Sequence, residues 1–168
     1  TPFMPATQPA EILTIANHIL GTGQLSLAKF LFITADETNR LGTHNVNEYL
    51  QFILCRINLE RDIHFYTKTT IDTLDYSGET LNCGSKVVFA ASGEPTRELC
   101  TEIPGALEKI QGLEKAAMIM PGVAAIQTTS FTNAGQAERE AEAINAVLSE
   151  QIPELASLPM IIWCDDAA

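Results

Sequence analysis

The chain alternates short, continuous apolar runs with stripes of apolar residues at helical spacing. The clearest run, Lys29-Phe30-Leu31-Phe32-Ile33-Thr34-Ala35, is rich in β-formers and stops at Asp36-Glu37. Apolar character on both faces predicts a strand buried between helices, and acids at its carboxyl end lie where open α/β sheets place ligands. Residues 43–57 then take helical spacing, with Thr43 as the expected N-cap. Val46, Tyr49, Leu50, Ile53, Leu54 and Ile57 form the stripe to be buried, and Arg56 near the end suits the helix dipole. Upstream, residues 1–8 read as a Pro-rich, extended lead-in, and Pro9 opens a helix through Leu20 with Ile12, Ala16 and Ile19 on its apolar face. Gly21-Thr22-Gly23 closes that helix. A dinucleotide-binding loop would need a preceding strand and a third glycine.

Residues 62–67 predict the next strand and with it a right-handed β-α-β crossover. Residues 86–91 predict another, entered through Cys83-Gly84-Ser85 and left at Ser92-Gly93-Glu94-Pro95. Further on, residues 106–113 are weakly helical, and residues 116–120 and 123–129 read as strands about a Pro121-Gly122 turn. Residues 136–151 form an amphipathic helix with Ala141, Ile144, Val147 and Leu148 inward, and residues 160–164 a last strand. That strand and the first share one design, an apolar run followed by paired acids, which is compatible with an internal repeat. The expected fold is α/β: a mixed sheet with helices on both faces, in which residues 27–35 and 160–164 are central strands. Residues 1–100 are expected to form one α/β domain and residues 101–168 an additional α/β lobe. The chain starts without Met and stops on a strand and an acidic turn, so it reads as an excised piece of a longer protein.

Charge narrows the range of partners. Twenty-one acidic residues against ten scattered basic ones give a formal charge of −11, which works against nucleic acid and anionic membrane surfaces. Cys55, Cys83, Cys100 and Cys164 form no CxxC pair and have no His at ligand spacing, so neither a zinc site nor a thioredoxin-like motif is expected. Cys55 and Cys164, in apolar runs, read as core thiols of a reduced, cytoplasmic protein. There is no secretory signal pattern, and the longest apolar stretch, residues 116–126, is interrupted by Pro121-Gly122 and is too short to span a bilayer.

No catalytic set emerges from the residues alone. His18, His44 and His64 are dispersed and read as solvent-facing or capped. Asp36 with Glu37, and Asp165 with Asp166, have the chemistry for a hard cation but lack a third ligand. Gly84-Ser85-Lys86 offers backbone N–H groups and an ammonium to a phosphate, or else is a strand-entry turn with a solvated lysine.

The segments "SLAKFLFITADE", "THNVNEYLQFILCRINLERDIHFY", "LDYSG" and "GSKVVFAASG", in this order and spacing, resemble the carboxy-terminal region of UbiD-type decarboxylases. The matched anchors are Lys29, Asp36, Arg56, Asp62, Asp75, Gly84 and Lys86, over residues 26–93. The acid-rich turn of the family is diluted here to Asp36-Glu37-Thr38-Asn39, and the acid expected after the last strand is replaced by Ala90-Ala91. The resemblance implies a reversible (de)carboxylase of aromatic or unsaturated acids, with quinone biosynthesis as one setting. It also implies prenylated flavin mononucleotide held with a divalent metal and potassium. The family's Glu-Arg-Glu catalytic set lies upstream of the region matched and has no counterpart here, so this chain is expected to carry no catalytic or metal residue and to be inactive alone. What it implies for this chain is a scaffold that packs a homodimer against the rest of the full-length chain. Lys86, Ser85 and Gly84 are implied to touch the cofactor. The alternative is a non-enzymatic α/β interaction domain that shares only the fold.

Overall fold

The computed structural model describes residues 11–36, 41–42, 44–76, 78, 80–150 and 152–167. The lead-in, Pro9, Thr43 and Glu37 lie outside the described residues. The chain divides between Thr96 and Arg97 into two compact units.

Unit 1 is built on a three-stranded mixed sheet in the order β1 (Phe30–Thr34), β3 (Gly84–Ala91), β2 (Ile63–Thr69). β1 runs parallel to β3, with Phe30 opposite Val87 and Thr34 opposite Ala91, while β2 runs antiparallel to it. Alternation along β3 sends successive side chains to opposite faces, and a helix claims each face. Val88 and Ala90, with Leu31 and Ile33 of β1, pack against Ile12 and Ala16 of α1 (Glu11–Leu20). Phe89 and Ala91, with Phe32 and Ile63, pack against Tyr49 and Ile53 of α2 (Val46–Leu54) and against Ile57. The rings of Phe32 and Phe89 stack at 4.4 Å. α2 is capped by Asn45, whose Oδ1 accepts from the Glu48 N–H at 3.2 Å.

Unit 2 has a second mixed sheet in the order β4 (Lys115–Met120), β5 (Val123–Gln127), β6 (Met160–Cys164). β4 and β5 are antiparallel about Pro121-Gly122, and β5 and β6 are parallel. Gly122 has φ +77°, and a Cβ there would lie 2.7 Å from Leu99, so the turn needs glycine twice over. Ala124 and Ile126 pack with Ile144 and Val147 of α3 (Ala134–Leu148), Leu107 of the 3-10 turn Gly105–Lys109, and Leu158. Asn133 caps α3 through the Gln136 N–H at 3.0 Å.

The α/β class and the mixed pairing are as expected. Val46 of α2, and Ala141 and Leu148 of α3, expected to face inward, are exposed, and three expectations of architecture need correction. There are two three-stranded sheets rather than one. The strands expected to be central, β1 and β6, are edge strands; β3 and β5 hold the middle. The β1-α2-β2 segment is not a parallel crossover, because β2 opposes the direction of β3. The reason is common to the last two. Apolar periodicity reports cover above and below a strand, which helices give to edge strands as well, and it carries no information on the strands alongside.

Ile53 has no exposed surface and joins α2 to the sheet. Ile53→Ala is expected to destabilise unit 1 by about 2–5 kcal/mol in urea unfolding, with an unchanged slope. A loss below about 1 kcal/mol would show that this core closes over the cavity.

Candidate functional site

The Gly84-Ser85-Lys86 entry to β3 is fixed by packing beneath it. A Cβ on Gly84 would sit 2.6 Å from the Ile71 side chain, so glycine leaves room for a buried isoleucine under the strand end. Alternation places Lys86 on the α1 side with Val88, and Ser85 on the opposite side. Lys86 is only 5% exposed, its ammonium donates to the Ser26 carbonyl in the 3-10 turn Gly23–Leu27, and burial pushes its pKa below the ordinary lysine value. Ser85 is exposed and lines a polar cleft of about 340 Å³ with Thr67, Lys68, Thr80, Cys83 and Gly84. The three residues therefore do not converge as one phosphate cradle. Lys86 has the charge for a phosphate but spends it on Ser26, and the cation in the Ser85 cleft is Lys68. Sequence reasoning passed over Lys68, which sits where β2 shifts register against β3, between Tyr66 and Thr69.

The other anchors of the resemblance tie loops to the same sheet. Lys29 and Asp75, 46 residues apart, form an ion pair at 2.8 Å. The Arg56 guanidinium lies 3.5 Å over the Phe52 ring and donates to the carbonyls of Gly93 at 2.8 Å and Phe52 at 3.0 Å. Asp36 accepts from the Leu41 N–H at 2.9 Å. Asp62, 6% exposed, accepts from the Asn58 N–H at 2.9 Å and from Arg61 Nε at 2.6 Å. On the α1 side the Tyr66 hydroxyl donates to Asn17.

His18 and His44 are exposed and His64 is half-buried on β2. Among the described residues no three His, Cys, Asp or Glu side chains come together as metal ligands do. Cys55 and Cys164, expected in the core, are only partly buried, at the end of α2 and on β6; the cysteines are free thiols. An apolar run of letters does not fix how far each side chain within it is covered, and Ile162 and Trp163 beside Cys164 are themselves exposed. Among the described residues no helix is long and apolar enough to cross a membrane.

Residues 4–91, just over half of the chain, match the model of the 3-octaprenyl-4-hydroxybenzoate carboxy-lyase C-terminal domain. The chain belongs to that family. A 4-hydroxybenzoate decarboxylase component of Chlamydia pneumoniae is 36% identical over 156 residues, covering 93% of this chain and 24% of the relative. An uncharacterised protein of Chlamydia caviae is 34% identical over the same shares. The chain thus spans about a quarter of the length of the curated relatives it matches. Among solved structures, the vanillic acid decarboxylase of Sedimentibacter hydroxybenzoicus in its open form aligns with a TM-score of 0.44 and 14% identity, over 84% of this chain and 24% of that one. All seven anchor residues fall within the matched carboxy-lyase segment.

Burial works to raise the Asp62 pKa, but hydrogen bonds from Arg61 and the Asn58 N–H, with the charges of Arg61 and His64, outweigh it and hold the carboxyl below its ordinary range. A folded value below the unfolded one stabilises fully above the unfolded value of about 3.9 and fades as pH falls through the folded value. Asp62→Asn is expected to cost about 1–2 kcal/mol at pH 7, with the gap to the unaltered protein narrowing on acidification below about pH 4. Urea titrations at a series of pH values check this, and a gap independent of pH contradicts it.

Proposed function

We propose that this chain is the carboxy-terminal part of a larger, cytoplasmic UbiD-type (de)carboxylase of aromatic or unsaturated acids, working in quinone biosynthesis. Its part is scaffold and oligomerisation, in a homodimer and against the rest of the full-length chain. The observation that carries this reading is the carboxy-lyase family match over residues 4–91, extended by 36% identity to a decarboxylase component along 93% of the chain. The internal ties of Lys29, Arg56 and Asp62 support a scaffold, because these polar side chains serve the domain's own loops.

In the complete protein, prenylated flavin mononucleotide, held with a divalent metal and potassium, would supply the electron sink that decarboxylation requires. What this chain's residues offer it is one cation. For Lys86 to reach the cofactor phosphate, its ammonium must exchange the Ser26 carbonyl for a phosphate oxygen; Gly84 and Ser85 shape that approach through the backbone.

Two measurements on the complete gene product and on this chain test the reading. Lys86→Ala in the complete protein should weaken flavin retention by about 1–3 kcal/mol, read as flavin content after purification. Unchanged content removes the contact and leaves the scaffold. The 168-residue chain, supplied with prenylated flavin, manganese and potassium, should release no carbon dioxide from a panel of aromatic acids. Turnover abolished by a substitution in this chain would overturn the assignment of catalysis to the rest of the protein. An upstream sequence without paired glutamates around an arginine would favour a non-enzymatic interaction domain instead.

A further inference from the structure

Unit 2 lies beyond the segment matched by the family and carries a site of its own. A concavity of about 240 Å³ is lined by Thr129, Phe131, Gln136, Glu140, Trp163 and Asp165. Phe131 and Trp163 are 65% and 41% exposed, and Trp163 is the single tryptophan of the chain. Trp163 Nε1–H donates to the Thr128 hydroxyl at 2.8 Å, and that hydroxyl, buried, donates to Glu140 Oε2 at 2.6 Å. Glu140 Oε1 accepts from the Thr129 hydroxyl and from Gln136 Nε2 at 3.0 Å. These donors hold the Glu140 carboxyl below its ordinary range. All three are neutral, so they fix the carboxylate without cancelling its charge and use three of its roughly four acceptor positions. Arg139 adds a weaker attraction from the adjoining concavity.

Exposed aromatic rings beside a fixed carboxylate that makes no ion pair among the described residues are the chemistry that takes a guanidinium or ammonium on an apolar stem. A concavity of about 240 Å³ has room for one such side chain. The chain carries a charge of −11 and spans 24% of the length of its relatives, so a complementary cation has most of a longer protein to come from. We propose that this pocket receives one arginine or lysine side chain from the part of the longer protein outside these 168 residues.

The inference rests on the chain belonging to a longer protein and not on the reaction proposed above, so the flavin assays and the following test fail independently. In the complete protein, Phe131 is replaced by the photocrosslinker benzoylphenylalanine, and the irradiated product is mapped by mass spectrometry. The expected adduct is intramolecular, to a peptide outside this chain bearing Arg or Lys at the crosslink, with its yield lowered about tenfold by Glu140→Gln. An excess of N-acetylarginine amide should compete with it and N-acetylglutamine amide should not, a readout that needs no variant of Glu140. An adduct between isotopically distinguished copies, an adduct at a peptide without a basic residue, indifference to both Glu140→Gln and the arginine probe, or no adduct would each overturn the proposal.

Discussion

Unit 1 depends on β3 being buried from both sides at once. Val88 and Ala91 have no exposed surface although they face opposite helices, and the strand supplies every hydrogen-bonded neighbour in its sheet. Small and medium side chains at Val88, Ala90 and Ala91 let α1 and α2 approach, and the large contacts come from the partners Ile12, Ile53 and Phe32. β5 holds the same position in unit 2, where Ala124 and Ile126 lie under α3. In both sheets a central strand has one parallel and one antiparallel neighbour, and the strand followed by paired acids is the parallel edge.

A strand covered so completely leaves its polar neighbours little freedom. Lys86 lies on the apolar face of β3 and satisfies its ammonium on the Ser26 carbonyl, which draws the turn Gly23–Leu27 onto the sheet. Lys29 and Asp75 bridge the start of β1 to the segment between β2 and β3. Asp62 fixes the segment that leads into β2 through Asn58, and Arg56 holds the chain beyond β3 at Gly93. These contacts tie together a domain of the carboxy-lyase family, in a chain that spans about a quarter of the length of the relatives it matches.

Long apolar runs and helical stripes were legible in the sequence, because burial above and below an element leaves a periodic trace. β1, β6, α2 and α3 were placed to within a few residues for that reason. Lateral order was not legible: β1 and β6 read as central since edge strands between helices are as apolar as middle ones. The Gly84-Ser85-Lys86 triplet was found as a motif, but the strand was expected to start at Lys86; it starts at Gly84, so alternation sends Ser85 and Lys86 to opposite faces. The pocket at Glu140 was missed because Thr128, Gln136 and Trp163 meet it only through the fold; the four-residue spacing of Gln136 and Glu140 on one helix face was the one trace available.

The central claim is that the polar residues matched to the family act as ties within their own domain. A double-mutant cycle on Lys29 and Asp75, with Lys29→Met, Asp75→Asn and the pair, measured by urea unfolding, tests it most directly. The account predicts a favourable coupling of about 1 kcal/mol between two residues 46 positions apart, since the pair is shielded on both sides from full solvent. Effects that add to within about 0.3 kcal/mol would contradict it and release both residues for a role outside the domain.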